Sequence, residues 1–344
     1  MSIVIFIDAP DPDNFVLIKA IHALFPDDEM KVALTARPVK FYATKDHKTW
    51  EWDYQSSRMA QEASAARLKN FMKNLGVSVV DVYDGGIAPR TLVPHFIHFE
   101  EYYKFWDVDP IAALRYTELS PQEELVRFML SRECKVVVGG PMTGLRQVIE
   151  RNPEVAKKIT EIHAMFATWG NVALMDFGGP PRGAQQFNVA CDPMSANFIL
   201  KGLSCPIYLM PTEVTRNSLI GFQNVQELRK ALPVTAGVNK MLNMYLFWYD
   251  AAVKPRQDKN PEELIYIHDL VSAFSLKTEL REKIYSVEPT IIESVPCLPN
   301  ESSEWGIVKM RLAKKREKTN IFTATGFKEG GEKLYLEALY NVFK

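Results

Sequence analysis

The feature that most constrains the fold is the N-terminal stretch from Ile3 to Leu24. It opens with five consecutive apolar residues, most of them β-branched, which end at Asp8. After a short acidic turn, apolar residues recur at the spacing of one helix face, at Phe15, Ile18, Ile21 and Leu24. The pattern predicts a buried strand, a turn and an amphipathic helix, a unit typical of α/β folds.

The turn concentrates four polar side chains within seven residues: Asp8, Asp11, Asp13 and Asn14. Open α/β sheets bind their ligands at the carboxyl ends of their strands, and a cluster of carboxylates there requires a cation, a proton or a ligand hydroxyl. The alternative is a helix cap, because Asp and Asn are preferred at helix starts and acidic residues suit the positive end of the helix dipole. One Asp is enough for a cap, so four polar groups favour a functional site.

Composition and charge narrow the class of partner. The chain has 344 residues, 47% of them apolar, and nothing in the composition divides it, so we expect one α/β domain over residues 1–344. Lys and Arg number 41 against 42 Asp and Glu, giving a net charge of −1. This balance gives no electrostatic footprint for nucleic acid or an anionic membrane, and it suits a small neutral substrate.

The cysteines and the apolar runs indicate a compartment. The four cysteines are far apart and without C-x-x-C spacing, which predicts reduced thiols rather than a zinc site or disulfides: Cys134, Cys191, Cys205 and Cys297. No basic N-terminal region with a cleavage site precedes the first strand, and no apolar run approaches the roughly 20 residues of a membrane span. We therefore expect a soluble, cytoplasmic protein.

Strand and helix patterns alternate along the chain, which predicts an open, mostly parallel sheet flanked by helices. The later strands are predicted at Lys31–Ala36, Val77–Val82, Lys135–Val138, Ile159–Phe166 and Pro206–Met210. Near the C-terminus, Lys283–Glu293 and Gly306–Leu312 predict a small antiparallel addition, and a helix follows at Glu329–Phe343. Residues Phe41–Tyr54 are interpreted as an irregular insertion, and residues Asn224–Tyr249 as helical.

The acidic turn resembles D-x-D-P-G-x-D-D, the opening signature of the inosine-uridine preferring nucleoside hydrolase family, with one residue fewer in the loop. Three later segments resemble family motifs in the same order. Gly139-Gly-Pro-Met-Thr-Gly-Leu145 is similar to G-P-L-T-N-L, Gln186-Phe-Asn-Val-Ala-Cys-Asp-Pro193 to E-F-N-x-x-x-D-P, and Ile267-His-Asp-Leu270 to the late H-D pair. The resemblance covers most of the chain and implies the family's fold.

The resemblance also implies an activity, the hydrolysis of ribonucleosides to base and ribose with water activated by a bound Ca²⁺. The metal ligands it implies are Asp8 or Asp11, Asn14, the carbonyl of Thr143, and Asp269. The missing loop residue leaves the choice between Asp8 and Asp11 open. Oxygen ligands of this kind are the ones that calcium prefers.

The same mapping implies roles for the remaining residues. Asp13 matches the water-activating aspartate, His268 the imidazole that protonates the base, and His98 an accessory imidazole. The ribose contacts implied are Asn188, Gln186, Asn171 and Arg37. Members of the family are commonly homodimers or homotetramers, and the apolar segment Met241–Tyr249 fits either core or a subunit contact.

Three departures from the family pattern bear on activity. Asn14 replaces a metal-binding Asp, Gln186 replaces a ribose-binding Glu, and Ala167-Thr168-Trp169 stands where the family has a glycine run in the active-site floor. These changes favour, as the alternative hypothesis, a catalytically impaired paralogue that acts as a nucleoside-binding or scaffold protein. A phosphatase using the acidic turn is a weaker hypothesis, because no Lys-bearing or Ser/Thr-bearing partner motif accompanies it. The base preference stays open.

Overall fold

The structure is a computed structural model that describes residues 2–8, 12–36, 39–42, 50–77, 81–89, 119–169, 186–250, 264–297 and 307–344. Its strands are β1 (Ser2–Asp8), β2 (Glu29–Ala36), β3 (Val39–Tyr42), β4 (Trp50–Asp53), β5 (Val82–Ile87), β6 (Cys134–Val138), β7 (Ile159–Met165), β8 (Ile207–Met210), β9 (Tyr285–Ser294), β10 (Lys309–Leu312) and β11 (Ile321–Phe327).

Nine of these strands form one sheet in the order β10-β9-β11-β8-β7-β6-β1-β2-β5. Every neighbouring pair from β11 to β5 is parallel, whereas β9 pairs antiparallel with both β11 and β10. The predicted open, mostly parallel sheet with an antiparallel addition near the C-terminus is therefore confirmed. β1 lies inside the sheet, so its carboxyl end has neighbours on both sides.

The helices are α1 (Pro12–Leu24), α2 (Tyr54–Asn74), α3 (Gln122–Ser131), α4 (Thr143–Arg151), α5 (Phe187–Cys191), α6 (Pro193–Gly202), α7 (Thr212–Thr215), α8 (Val225–Lys230), α9 (Ala236–Trp248), α10 (Leu270–Leu276), α11 (Thr278–Ile284) and α12 (Gly331–Phe343). Short 3₁₀ helices occur at Pro153–Lys158 and Ser218–Ile220. Within the described ranges, no helix combines the length and the apolar character that crossing a membrane requires.

Two hydrophobic clusters lie on opposite faces of the sheet. Along β1, Ile3, Ile5 and Ile7 belong to one cluster, which includes residues of α1, α9, α10 and α12. Val4 and Phe6 belong to the other, which includes residues of α3, α4 and α6. The alternation explains why β1 is apolar at every position: both of its faces are covered.

Two local predictions are wrong. The backbone of β3 and β4 forms a two-stranded antiparallel ribbon where an irregular insertion is predicted, because the pairing of Phe41 with Glu51 joins residues too far apart for local patterns to reveal. The strand predicted at Val77–Val82 lies instead at Val82–Ile87, and residues 78–80 are outside the described ranges. Its glycines suggest a turn, but a Cβ at Gly85 would lie 2.7 Å from the carbonyl carbon of Leu34, so a close approach of two strands explains that glycine.

Two further elements differ from expectation. The helical region predicted at Asn224–Tyr249 is two helices, α8 and α9, and the second begins at an N-cap in which Thr235 accepts a hydrogen bond from the Val238 amide. β11 is not predicted at all, although it is the strand that joins the parallel part of the sheet to the antiparallel addition. All four cysteines are free, as predicted.

Candidate active site

The first part of the site is the junction of β1 and α1, where the helix start folds back onto the strand end. The Asn14 side chain donates from Nδ2 to the backbone oxygen of Asp8 and, at 3.4 Å, to Asp8 Oδ1. Both residues are only 2% exposed. The short acidic turn therefore places a carboxylate and a carboxamide side by side at the carboxyl end of a central strand.

The other end of this carboxamide is the notable atom. Asn14 Oδ1 is buried and has no hydrogen-bond partner among the residues that the structure describes. An unpaired buried polar atom costs roughly 1–3 kcal/mol, so native proteins usually provide a partner. An oxygen in this condition beside a carboxylate is suited to a cation.

The glycine turn after β6 brings a second carboxylate to the same place. The Gly139 amide donates to the Phe6 carbonyl at 2.8 Å, which attaches the turn to β1. A Cβ at Gly139 would lie 2.9 Å from Asp269 Oδ2, and a Cβ at Gly140 would lie 2.7 Å from the Asp8 amide nitrogen. Asp8 and Asp269 therefore border consecutive residues, and side chains at either glycine would displace them.

The oxygen atoms of Asp8, Asn14 and Asp269 are of the chemical type that binds a hard cation. Carboxylate and amide oxygens are calcium ligands, and calcium takes six to eight of them. Across the described part of the chain, no group of three or more His, Cys, Asp and Glu side chains is placed to hold a metal. The set here is two carboxylates and one neutral amide, Asp8, Asp269 and Asn14, so further oxygens from the backbone or water would be needed.

Thr143, the other implied ligand, begins α4 just after the glycine turn. It is buried, and its hydroxyl donates to Asp192 Oδ2 at 2.7 Å. The contact joins the start of α4 to the start of α6. Local sequence patterns identify Asp192 as a helix start and give no sign that it reaches Thr143.

Asp13 precedes Asn14 on α1, and its negative charge acts on Tyr335 of α12. Burial raises the pKa of Tyr335, and the negative charge of Asp13 raises it further. The Tyr335 hydroxyl donates to the carbonyl of Ile267 at 3.4 Å, next to His268. The C-terminal helix thus contributes a residue between the predicted base and the predicted acid, and sequence patterns identify Tyr335 only as part of an amphipathic helix.

His268 is held from α7. Its Nδ1 lies 2.7 Å from Thr215 Oγ1, and its ring lies 5.7 Å from that of Tyr266. The Thr215 hydroxyl is also within 3.2 Å of the Thr212 carbonyl. No sequence signal identifies Thr215, because α7 is four residues long and far from His268 along the chain.

The same short helix holds the segment that follows β7. The Thr212 amide donates to the Ala167 carbonyl at 3.2 Å, and the Thr168 hydroxyl donates to Glu213 Oε1 at 2.6 Å. Ala167 is fully buried with φ +71°. This left-handed conformation favours glycine, so Ala167 adopts it at a cost in strain.

Two of the four implied ribose contacts, Gln186 and Asn188, lie at the carboxyl end of β7. Gln186 Oε1 accepts from the Val189 amide at 2.9 Å and caps α5, while its Nε2 lies 3.3 Å from Met165 Sδ. Asn188 Nδ2 donates to the Met165 carbonyl at 3.2 Å. Both side chains are buried. They lie at the same edge of the sheet as the glycine turn.

Four of the implied site residues lie outside the described residues and stay predictions: Asp11, Arg37, His98 and Asn171.

The comparisons with known proteins concern the family and the fold. The family model for inosine-uridine preferring nucleoside hydrolase matches residues 57–326, which begin after the acidic turn. None of the curated proteins matches the sequence at a significant level.

Several solved structures have the same fold. A purine-preferring ribonucleoside hydrolase from Gardnerella vaginalis is 16% identical, with a TM-score of 0.66 over 100% of this chain and 98% of that one. A plant nucleoside hydrolase is 14% identical, with a TM-score of 0.64 over 99% and 98%. An inosine-uridine preferring nucleoside hydrolase from Bacillus anthracis is 13% identical, with a TM-score of 0.56 over 100% and 99%. With a family model that matches well over half of its length, the chain belongs to the inosine-uridine preferring nucleoside hydrolase family.

Proposed function

We propose that this protein is a ribonucleoside N-glycosidase that hydrolyses nucleosides to base and ribose with the help of calcium. The observation that carries the proposal is the buried Asn14 Oδ1 without a described partner, beside Asp8 at the end of β1. Asp269 approaches the same place across the glycine turn. Members of this family are generally metal-dependent, and calcium is the ion that oxygen donors of this kind favour.

The residues that would hold calcium are Asp8, Asn14, Asp269 and the carbonyl of Thr143, and Asp11 stays open as a further ligand. Bound calcium supplies positive charge that lowers the pKa of a water molecule and holds ribose hydroxyls. Because Asn14 is neutral where the family has a carboxylate, we expect weaker calcium binding than in a site with Asp at this position.

The chain's own residues supply the proton transfers. N-glycosidic cleavage passes through an oxocarbenium-like transition state, so the reaction requires a base for the attacking water and an acid for the leaving base. Asp13, half-buried in the first turn of α1, is the proposed base, and His268, held by Thr215, is the proposed acid. His98 is the proposed accessory imidazole.

Binding of the sugar is assigned to Asn188 and Gln186, with Asn171 and Arg37 as further contacts. The buried amides of Asn188 and Gln186 contact Met165, which fixes them at the carboxyl end of β7. We also infer that the chain forms a single domain over residues 1–344, acts in the cytoplasm and assembles as a homodimer or homotetramer. In α9, Met241 and Tyr245 are core residues, whereas Leu246 is exposed.

One observation favours the second candidate function, a catalytically impaired nucleoside-binding protein. The two ends of the Gln186 amide already have partners within the protein, Val189 and Met165. A ribose hydroxyl must therefore compete with contacts that stabilise α5. If the sugar is misplaced as a result, binding would persist while turnover is lost, because in-line attack tolerates little displacement.

Base release from inosine, uridine, adenosine and guanosine at saturating calcium separates the two functions. We expect turnover by the wild type and faster turnover by Asn14→Asp, because a carboxylate restores charge to the metal site. Asp13→Ala should lower kcat by about 10²–10⁴-fold, the usual contribution of a general base. No release of base by either the wild type or Asn14→Asp would exclude the hydrolase and leave the binding protein.

The role of His268 is tested by the leaving group. His268→Ala should slow inosine hydrolysis far more than hydrolysis of a nitrophenyl riboside, whose phenolate leaves without protonation. Equal losses on both substrates would assign His268 to positioning of the sugar or base instead of acid catalysis.

A further inference from the structure

Asp192 connects three elements of the site. It is the C-terminal cap residue of α5, which carries Asn188, and it is also the N-cap of α6. The side chain is only 4% exposed. A buried carboxylate between two helices needs several hydrogen-bond donors, and the structure provides three.

The two oxygens of this carboxylate have different tasks. Oδ1 accepts from the Ser195 amide at 2.9 Å, which is the ordinary cap of a helix start. Oδ2 accepts from the Ser195 hydroxyl at 2.5 Å and from the Thr143 hydroxyl at 2.7 Å. These oxygen–oxygen distances are typical of hydrogen bonds from a hydroxyl to a carboxylate. Such bonds are stronger than hydrogen bonds between neutral groups. A cap alone does not require the contact with Thr143.

The contact with Thr143 spans 49 residues of sequence. It joins the residues assigned to the metal to those assigned to the ribose. Thr143 opens α4 directly after the glycine turn that borders Asp8 and Asp269. Across Asp192, α5 holds Asn188 against Met165. Asp192 therefore lies between the residues assigned to the metal and those assigned to the ribose.

We propose that Asp192 is a positioning residue that fixes the Thr143 end of the metal site relative to α5 and its sugar contacts. The inference rests on the proposed function, because it presupposes that Thr143 contributes to calcium binding. Groups that hydrogen-bond to the ligands of a metal, and so orient them, typically contribute 10–100-fold to metal affinity. Asp192 should thus influence calcium affinity and KM for the nucleoside although it touches neither ligand.

Asp192→Asn is the discriminating variant. Its single amide oxygen can still cap α6 at the Ser195 amide, but the NH₂ group that replaces Oδ2 cannot accept from the Thr143 hydroxyl. Ser195→Ala is the matched control, because it removes one hydroxyl from Oδ2 and leaves the bond to Thr143. Thr143→Val breaks the same bond from the other side, and Thr143→Ser preserves it.

Four quantities should be measured for each variant: calcium Kd by calorimetry, kcat and KM for inosine, and the melting temperature in a chelator. Asp192→Asn and Thr143→Val should weaken calcium binding by roughly 10–100-fold and raise KM. The double variant should lose no more calcium affinity than Asp192→Asn alone, because both changes remove the bond between Thr143 and Asp192. Ser195→Ala accounts for the second bond that Asp192→Asn removes. Ser195→Ala should keep the wild-type calcium Kd even if its melting temperature falls, and Thr143→Ser, which keeps the hydroxyl, should lose less calcium affinity than Thr143→Val.

The outcomes distinguish this inference from the proposed function. Wild-type calcium affinity and KM in folded Asp192→Asn or folded Thr143→Val would overturn the positioning role while leaving the hydrolase proposal intact. A wild-type protein that neither binds calcium nor releases base would overturn both. If Asp192→Asn does not fold, the comparison of Thr143→Val with Thr143→Ser decides the question alone.

Discussion

Two buried polar clusters on the same sheet differ in how they are satisfied. At the carboxyl end of β1, Asn14 Oδ1 has no partner in the described ranges. Toward the amino ends of β6 and β7, Glu161 lies 2.5 Å from Lys135 Nζ and 3.5 Å from His163 Nε2. His163 Nδ1 in turn lies 2.8 Å from the Ser275 hydroxyl. Among the described residues, the first cluster leaves an amide oxygen with neither a hydrogen bond nor an ion pair, whereas in the second the atoms without a hydrogen bond, Glu161 Oε1 and His163 Nε2, lie within ion-pair distance of a charged group.

The second cluster shows what a structural polar network looks like in this fold. His163 is fully buried and stacks on Tyr208 at 4.7 Å, with an interplanar angle of 10°. His163 is thus a packed side chain of β7. A buried atom without a hydrogen bond in the described part of the chain therefore does not identify a functional group by itself, because His163 Nε2 is such an atom too. The Asn14 oxygen differs in its place, beside a carboxylate at the carboxyl end of a central strand.

The largest expected effect on stability tests this contrast directly. Glu161→Gln should lower the free energy of unfolding by about 3 kcal/mol, because it leaves Lys135 without its carboxylate in a half-buried position. Asp8→Asn should lower it by less in the absence of calcium, because removing one of two carboxylates that approach the glycine turn also relieves their mutual repulsion. Urea unfolding in a chelator measures both. A loss for Asp8→Asn equal to that for Glu161→Gln would make the carboxyl-end cluster structural too.

Acidification should weaken the protein through His163. Burial lowers the pKa of His163 to about 4 from an unfolded value of 6.5. As the pH falls, His163 takes up its proton in the unfolded chain first. Its contribution to the free energy of unfolding is therefore complete above pH 6.5 and declines by roughly 3 kcal/mol between pH 6.5 and 4.

Unfolding of the wild type and of His163→Gln at pH 7.5 and pH 5 isolates this contribution. The wild type should lose more stability than the variant between these values. Burial alone would raise the pKa of Glu161, but His163 and Lys135 lower it to about 2, so its contribution is lost only between pH 4.5 and 2. Identical pH dependence in both proteins would contradict the assignment to His163.

Calcium should stabilise the protein through the cluster at the end of β1 and not through the cluster around Glu161. A ligand that binds only the folded state stabilises it by about 2.7 kcal/mol at a concentration 100 times its Kd. This increment should vanish in Asp8→Asn and persist in Glu161→Gln, which lies away from the proposed site. Thermal melts with calcium and with a chelator provide the measurement. Coincident melts for the wild type would remove the metal from the proposal.

The smallest effect concerns the strained residue beside the site. Ala167→Gly should raise the free energy of unfolding by roughly 0.5 kcal/mol, because glycine adopts φ +71° without the steric cost, which exceeds the added freedom of the unfolded chain. Ala164→Gly, in β7, is the matched control and should lower stability, since that position is buried and extended. Equal losses at both positions would mean that Ala167 carries no strain.

Much of the site could be predicted because its parts are short and local. The apolar run before Asp8, the helix periodicity after Asn14 and the glycines at 139 and 140 are visible in the sequence, and the structure brings these three segments together. The ribbon of β3 and β4, the position of β5 and the existence of β11 could not be predicted in this way. β5 and β11 depend on pairing with strands distant in sequence, and pairing energy is absent from local patterns. β3 and β4 pair across residues 43–49, a connection longer than local hairpin signals cover.

The sequence by itself determined the α/β alternation, the family and the residue types available for chemistry. Only the tertiary structure decided which partner each polar group has. Thr215 meets His268 across 53 residues and Asp192 meets Thr143 across 49. It also decided that Asn14 binds Asp8 through its nitrogen and leaves its oxygen unpaired among the described residues, whereas His163 pairs with Ser275 through Nδ1 and lies near Glu161 through Nε2. The physical reason is that periodicity records which side of an element is buried, while hydrogen-bond partners depend on how separate elements pack.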